Sequence, residues 1–249
     1  MNDSIMSDST ALGGFVRKWQ ERWPEWRVAE VFVPAESKES VFAWFALLQE
    51  FDDAFAAHGD PLPADAKLGW WSQELQQWQE KRSRHPLGRI LEPLHAPWAE
   101  LATALACLPE SRTFALDSDA MRAGLWDYGA VVARIEMALF GGGEVLTDDV
   151  GGMIVQHTLA IRLMKPDGAE EAADATDSNK RTRQRSAAEW LRHWPCPANA
   201  CVPRKLQSAL IRQRLRRYAE GREPLAAPGS IPMLWRMWRS ARGSRWNRL

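Results

Sequence analysis

Between Glu36 and Ala57 the apolar residues recur with a helical period. One stripe of large apolar side chains consists of Val41, Trp44, Leu48, Phe51 and Phe55. A second line with the same spacing consists of Phe42, Phe45, Gln49, Asp52 and Ala56. Because both lines contain large apolar residues, the pattern predicts a helix buried inside an all-helical domain. The carboxyl group of Asp52 must then be paired, hydrogen-bonded, bound to a metal or open to a polar cavity.

Helical periods separated by proline and glycine recur along the rest of the chain. They predict further helices over 11–21, 64–81, 98–108, 118–140, 148–164, 186–194, 204–220 and 232–242. Asp117 or Ser118 is the expected N-cap of the 118–140 helix. Residues 23–34 are expected to be irregular or extended, and residues 1–10 to be a polar, frayed start. With no convincing strand pair, the predicted fold class is all-α.

A polar stretch divides the chain into two parts. Residues 165–185 lack tryptophan and leucine and predict a flexible linker or surface loop. The division gives a helical core over 1–164 and basic, Trp-rich C-terminal helices over 186–249. We expect these C-terminal helices to pack on the same bundle.

The charge is distributed unevenly although the net charge is zero. Residues 181–249 contain 16 Lys or Arg and 3 Asp or Glu, so the first 180 residues hold the other 16 basic and 29 acidic residues. This asymmetry suggests an anionic partner for the C-terminal part. The alternative is that its arginines pair with the acidic body while its tryptophans pack on it.

The last residues of the chain combine tryptophan with arginine. They include Trp235, Arg236, Trp238, Arg239, Arg242, Arg245, Trp246 and Arg248. Such a segment suits an anionic membrane surface, with tryptophan at the level of the headgroups. Nucleic acid is the less favoured partner, because the helices resemble no known docking motif.

Cysteine usage and hydropathy indicate the subcellular compartment to expect for the protein. The three cysteines, Cys107, Cys196 and Cys201, form a sparse and odd set that is typical of a reduced environment. No run approaches the ~20 apolar residues that cross a bilayer, and the N-terminus lacks the features of a secretory signal. We expect a cytoplasmic protein, with peripheral attachment to the inner face of the membrane as a further option.

Four stretches resemble squalene/phytoene synthases, and they follow the same order along the chain as in that family: 42–53, 66–87, 128–140 and 152–162. The phrase Ala66 to Leu75 (AKLGWWSQEL), followed by Arg84-His85-Pro86-Leu87, resembles the family's L-x-W-W-R-x-E-L and H-P sequences. The segment 42–53 looks like the family's first aspartate-rich helix. The segments 128–140 and 152–162 look like its Y-C-x-x-V-A-G-x-V-G and G-x-A-x-Q-x-T-N-x-x-R-D helices.

The resemblance implies a fold and an activity. The fold is an isoprenoid-synthase-like helical bundle with a central cavity. The activity is prenyl transfer, the head-to-head joining of two prenyl diphosphates in terpenoid biosynthesis, with Mg²⁺ on two facing aspartate motifs. Mg²⁺ prefers carboxylate and phosphate oxygens and stabilises charge on the leaving diphosphate.

The resemblance also assigns roles to residues. Asp52, Asp53 and Asp167 are the expected Mg²⁺ ligands. Tyr128, Gln156, Thr158 and Arg162 are the expected substrate-binding residues, and no catalytic residue is assigned. The chain departs from the family pattern where Ala56, Leu159 and Leu163 replace motif residues.

Two hypotheses of function follow. The first is a divergent family member that binds a prenyl diphosphate or another isoprenoid lipid, or that transfers prenyl groups. The second is a non-catalytic pseudoenzyme at the membrane, similar to the family's respiratory complex I assembly factor. For Asp52 alone, pairing with an arginine such as Arg122, Arg134 or Arg162 is the alternative to a metal site.

Overall fold

The computed structural model describes residues 2–55, 60–141, 148–165, 173–196, 198–225 and 231–242. These residues form twelve α-helices and two short 3₁₀ helices, and they contain no strand. The predicted all-α class is therefore confirmed. Among the same residues, no helix has the combination of length and apolar character that is needed to cross a bilayer.

The helices cover most of the described chain. In chain order they are α1 Asn2–Arg22, α2 Trp26–Ala29, α3 Lys38–Phe55, α4 Leu62–Gln79, α5 Gly88–Leu91, α6 Trp98–Ser111, α7 Asp119–Gly124, α8 Trp126–Phe140, α9 Asp148–Met164, α10 Ala173–Arg192, α11 Val202–Ala219 and α12 Ile231–Arg242. The two 3₁₀ helices, Glu30–Phe32 and Ala35–Ser37, lie between α2 and α3.

Helix α3 is buried around most of its circumference, as its double apolar stripe predicts. Twelve of its 18 residues are buried, and it packs against α1, α4 and α5. Trp44, Leu47 and Phe51 are at most 1% exposed. The helix thus carries Asp52 and Asp53, near its C-terminal end, into the interior of the bundle.

Several segments differ from their predicted structure. Residues 2–10, predicted to be a frayed start, belong to α1. Residues 23–34 contain α2 and a 3₁₀ helix instead of irregular chain, since Trp26 and Ala29 are both buried one turn apart. The predicted helix over 118–140 is interrupted at Leu125, which separates α7 from α8. There the backbone of Gly124 approaches Ser111 too closely for a Cβ, so packing on the end of α6 sets the break. Ser118 is the N-cap, and its hydroxyl accepts a hydrogen bond from the Met121 N–H at 3.1 Å.

Much of the stretch predicted as a polar linker, 165–185, is helical, because α10 begins at Ala173. The side chains of 178–182 are exposed, so the polar composition there reflects a solvent-facing helix surface. Arg183 lies on the other side, and its guanidinium donates to the backbone oxygens of Arg162 at 3.1 Å and Lys165 at 2.7 Å. It therefore caps α9 with a cation, which complements that helix's C-terminal dipole.

The C-terminal helices pack against the N-terminal part of the chain. Helix α11 contacts α8, α9 and α10, and α12 contacts α11 and α2. Arg214 of α11 is 7% exposed, donates from Nε to Glu25 at 2.9 Å, and lies 3.7 Å from the Trp23 ring centroid. Part of the basic character of this region is thus neutralised inside the fold.

Helices α8 and α9 meet at two glycines. A Cβ on Gly129 would lie 2.7 Å from the backbone oxygen of Gly151 and 2.7 Å from Cγ2 of Val155. Both contacts involve atoms that cannot move away freely, one on the backbone and one on a buried side chain. This close approach sets the spacing of the helices that carry Tyr128 and His157.

We predict that Gly129→Ala destabilises the protein by about 1–3 kcal/mol, because the new methyl group forces α8 and α9 apart. Gly69→Ala is the matched control, since a Cβ there has no neighbouring atom within 4 Å. That change, at an exposed position of α4, should stabilise the helix by about 0.5–1 kcal/mol. Urea unfolding followed by circular dichroism measures both changes, and equal effects would contradict the close approach.

Candidate functional site

A small polar cavity lies where α3, α8, α9 and α11 come together. Its volume is about 30 Å³, and its polar lining side chains include Gln49, Asp52, Tyr128, His157, Thr158 and Arg204. Trp19, Trp23 and Leu48 supply part of the apolar wall. A space of this size holds about one or two water molecules. We call it the α3 cavity.

Asp52 lines the α3 cavity, and its pKa is unusually high for a carboxyl group. Burial raises the pKa of Asp52 to about 7, and Lys165 opposes the shift. Among the described residues, no hydrogen bond uses the Asp52 carboxylate. The suggested arginine partners make other contacts: Arg122 donates to Gln156 at 2.7 Å, Arg134 pairs with Glu100, and Arg162 lies over the Phe55 ring. None of these three arginines therefore forms an ion pair with Asp52.

Asp53 is surrounded by cations of the chain itself. Its carboxylate lies 2.8 Å from Arg22 Nη2, 3.3 Å from Lys18 Nζ and 3.3 Å from Lys165 Nζ. Gln49 Nε2 also donates to Asp53 Oδ1 at 2.9 Å. Burial would raise the pKa of Asp53, but Lys165 and Arg22 outweigh it and hold this pKa below its ordinary value. We call this group the Asp53 cluster.

The Asp53 cluster continues to Glu50, one turn earlier on α3. Glu50 accepts from Lys18 Nζ and from Lys67 Nζ, each at 2.7 Å. Burial would raise the pKa of Glu50, but hydrogen bonds from both lysines lower it overall. Lys18 bridges the two carboxylates and so binds α1 to α3 by charge.

Beside the α3 cavity lies a buried ion pair between α8 and α11. Arg204 and Glu136 are 4% and 2% exposed, and Arg204 Nε donates to Glu136 Oε2 at 2.8 Å. Trp44 Nε1 donates to Glu136 Oε1 at 2.9 Å. Burial lowers the pKa of Arg204, but Glu136 outweighs it and keeps the guanidinium charged.

His157 is held neutral beside this pair. Burial and the charge of Arg204 lower the pKa of His157 well below its ordinary value. Arg204 Nη1 lies 3.4 Å from His157 Nδ1, and Ser208 Oγ lies 3.0 Å from Nε2. Since Arg204 can only donate, the proton belongs on Nε2 and points toward Ser208. His157 thus has a polar partner on each side of its ring.

The structure brings some of the predicted site residues together. Tyr128 and Thr158 line the same cavity as Asp52, and burial, with the nearby Asp52 charge, raises the pKa of Tyr128 well above its ordinary value. Gln156 and Arg162 are not part of the cavity lining. Asp167 and Ala56 lie outside the described residues.

Two polar residues of the site lie at positions that the sequence pattern did not single out: Arg204 and Gln207. Gln207 is 3% exposed and accepts from Trp26 Nε1 at 2.6 Å. On α11 these side chains share the face of Leu210 and Ile211, which are buried. A polar residue at an apolar position of a helical stripe is the signal that could have found both.

Among the described residues, the carboxylates do not by themselves form the expected Mg²⁺ site. The oxygens of Asp53 already contact three cations. In the part of the chain that the structure describes, no group of three or more His, Cys, Asp or Glu side chains could hold a metal ion. A divalent cation needs several oxygen ligands, and of the three expected ligands the structure describes only Asp52 and Asp53, since Asp167 lies outside the described residues.

Comparisons with known proteins do not assign the chain to a family. No protein-family model, no curated protein and no solved structure matches it.

We predict opposite effects of pH on the two neighbouring aspartates. The folded-state pKa of Asp52, about 7, lies above the unfolded value near ~4. Its contribution to stability is thus fully present below that unfolded value and is lost as the pH rises through 7. Asn does not titrate, so Asp52→Asn should gain about 2 kcal/mol relative to the wild type between pH 5 and pH 8.

Asp53→Asn is the matched control, because the pKa of Asp53 is lowered and its stabilisation is present above the unfolded pKa. This variant should be less stable than the wild type at both pH 5 and pH 8. Urea unfolding at the two pH values measures both variants. A pH-independent effect of Asp52→Asn would contradict the raised pKa.

Proposed function

We propose that this chain is a non-catalytic, squalene/phytoene synthase-like protein that acts at a membrane surface. The resemblance in the Trp-Trp, His-Pro and Gln-His-Thr stretches supports an isoprenoid-synthase-like bundle around α3. The Asp53 cluster is the observation that most directly supports a non-catalytic protein. Where the family's first aspartate motif would bind Mg²⁺, Lys18, Arg22 and Lys165 already neutralise Asp53.

The size of the α3 cavity supports the same conclusion. Its volume of about 30 Å³ has room for one or two waters. Pockets for small-molecule ligands have volumes of about 300–1,000 Å³, and a prenyl chain of fifteen carbons needs a space of that order. Polar groups make up much of the lining, including Asp52, His157 and Arg204. An apolar chain in this cavity would desolvate all three.

Helix α12 supports the membrane part of the proposal. Met233 and Met237 are fully buried, while Leu234, Trp235 and Trp238 are 43%, 56% and 38% exposed. Arg239 lies over the Trp235 ring at 4.8 Å. Exposed tryptophan and leucine beside arginine suit the boundary between headgroups and acyl chains of an anionic bilayer.

The retained acid Asp52 favours a second candidate function, binding of an isoprenoid without transfer. Asp52 lies beside Tyr128 and Thr158 in the α3 cavity, and its carboxylate has no hydrogen bond from the described residues. A polar isoprenoid headgroup that donates a hydrogen bond would satisfy it. Such a ligand would have to open the cavity as it enters.

For activity, we predict that the protein releases no diphosphate from farnesyl or geranylgeranyl diphosphate, with or without Mg²⁺. The physical reason is that Mg²⁺ would have to displace the cations around Asp53. A coupled phosphate assay and product extraction measure the reaction. Mg²⁺-dependent diphosphate release that is abolished by Asp53→Asn would refute the non-catalytic proposal.

For the membrane, we predict co-sedimentation with anionic vesicles but weaker binding to neutral ones. Leu234→Ser/Trp235→Ser should reduce the bound fraction several-fold, because it removes the exposed apolar surface of α12. The control is Leu62→Ser/Trp70→Ser, which removes an exposed leucine and tryptophan from α4, where they are 72% and 42% exposed. Equal binding by both double variants would remove α12 as the membrane-contacting element.

A further inference from the structure

A large groove lies between α11 and α12, apart from the α3 cavity. Its volume is about 520 Å³, which is within the range of about 300–1,000 Å³ that is typical of small-molecule sites. Helix α11 lines it with residues spaced three or four apart, so one continuous helix face forms the wall. Helix α12 forms the opposite wall with Arg236, Arg239 and Ser240. We call this space the α11–α12 groove.

The groove is strongly cationic. Five lining side chains are basic and none is acidic: Lys205, Arg212, Arg216, Arg236 and Arg239. Among the described residues, Arg212 and Arg216 make no ion pair, although they lie one turn apart on α11. Like charges this close repel each other, and an anion bound between them would relieve the repulsion. The guanidinium groups match the oxygens of a phosphate in geometry and charge.

The floor of the groove is apolar. Met153 is buried and Trp194 and Ala209 are partly buried, and all three line the groove. Apolar surface beside a cluster of cations suits a ligand with an anionic head and a hydrocarbon stem. A nucleic acid backbone would match only the cations, and inorganic phosphate would leave the apolar floor uncovered.

One polar atom in the groove also lacks a partner. Gln213 lies between Arg212 and Arg216 in the lining, and its Oε1 is buried without a hydrogen bond. Because the amide can rotate to present either its oxygen or its NH₂ group, it can accept from a hydroxyl or donate to a phosphate oxygen. A ligand headgroup would therefore satisfy a group that the protein leaves unsatisfied.

We infer that the α11–α12 groove binds a phosphorylated lipid, with the phosphate between Arg212, Arg216 and the arginines of α12 and the chain along Met153 and Trp194. A phosphomonoester carries about −1.5 to −2 charges at neutral pH, which suits several arginines. The site uses neither Asp52 nor the exposed leucine and tryptophans of α12, although Arg239 is common to the groove and to the proposed membrane surface.

Titration calorimetry on the full chain tests the site. The probe is dihexanoyl phosphatidic acid below its micellar concentration, with dihexanoyl phosphatidylcholine and inorganic phosphate as comparison ligands. The phosphatidic acid should bind at least about tenfold more tightly than either, because only it offers both a phosphomonoester and a chain. Equal affinity for inorganic phosphate would overturn the inference.

The double variant Arg212→Gln/Arg216→Gln locates the binding. It should weaken binding by about tenfold or more, and its folding should be unaffected, because both arginines are exposed and glutamine is a good helix former. Arg17→Gln/Arg82→Gln is the control with the same loss of charge at exposed positions outside the groove. Equal weakening by the two double variants would refute the site.

Two further arms distinguish the source and class of the ligand. Co-sedimentation with vesicles containing phosphatidic acid, if lost in Arg212→Gln/Arg216→Gln, identifies a headgroup in a bilayer. Binding of the short-chain lipid without such co-sedimentation identifies a monomeric ligand. Both outcomes support the site, whereas an oligonucleotide that displaces the lipid and binds more tightly would overturn it.

Discussion

The ion pair between Glu136 and Arg204 joins α8 to α11 in the interior, and the polar groups around it are arranged to suit it. Two charges out of contact with water are costly unless each is satisfied by its neighbours. Glu136 accepts from both Arg204 and Trp44, and Arg204 also reaches Nδ1 of His157. Arg204 therefore fixes the ring of His157 and, together with burial, keeps it neutral. The pair also positions α11, which carries three of the basic groove residues. Removing one partner would leave a buried charge uncompensated, which typically costs about 3–5 kcal/mol.

Local periodicity was sufficient to predict α3, α9 and the all-α class, because the apolar residues of a buried helix recur in the sequence with the helical period. It also singled out Asp52 as a polar residue that needs an explanation. It did not predict the first part of α10, where residues 178–182 face water, or the break at Leu125, which depends on the contact of Gly124 with α6. The pairing of Glu136 with Arg204 joins residues 68 positions apart, and no local pattern specifies such a partner.

The α3 cavity and the α11–α12 groove are separated by one layer of side chains. His157 lines the cavity and stacks on Trp194 with ring centroids 5.4 Å apart, while Trp194 lines the groove. Ser208 Oγ accepts from Trp194 Nε1 at 3.1 Å and also contacts His157. Packed aromatic rings and a shared hydroxyl offer a short physical connection between the two spaces. A displacement of the Trp194 ring would therefore change the packing of the His157 ring.

The Asp53 cluster also limits how the sequence can change. A carboxylate that holds Lys18, Arg22 and Lys165 ties α1 and the end of α9 to α3. Any metal ion that approached Asp53 would have to compete with those three cations. Replacing one of the four charged residues alone would leave a charge without part of its compensation. The four charged residues of the cluster therefore constrain one another, and they can be replaced without loss of stability only together.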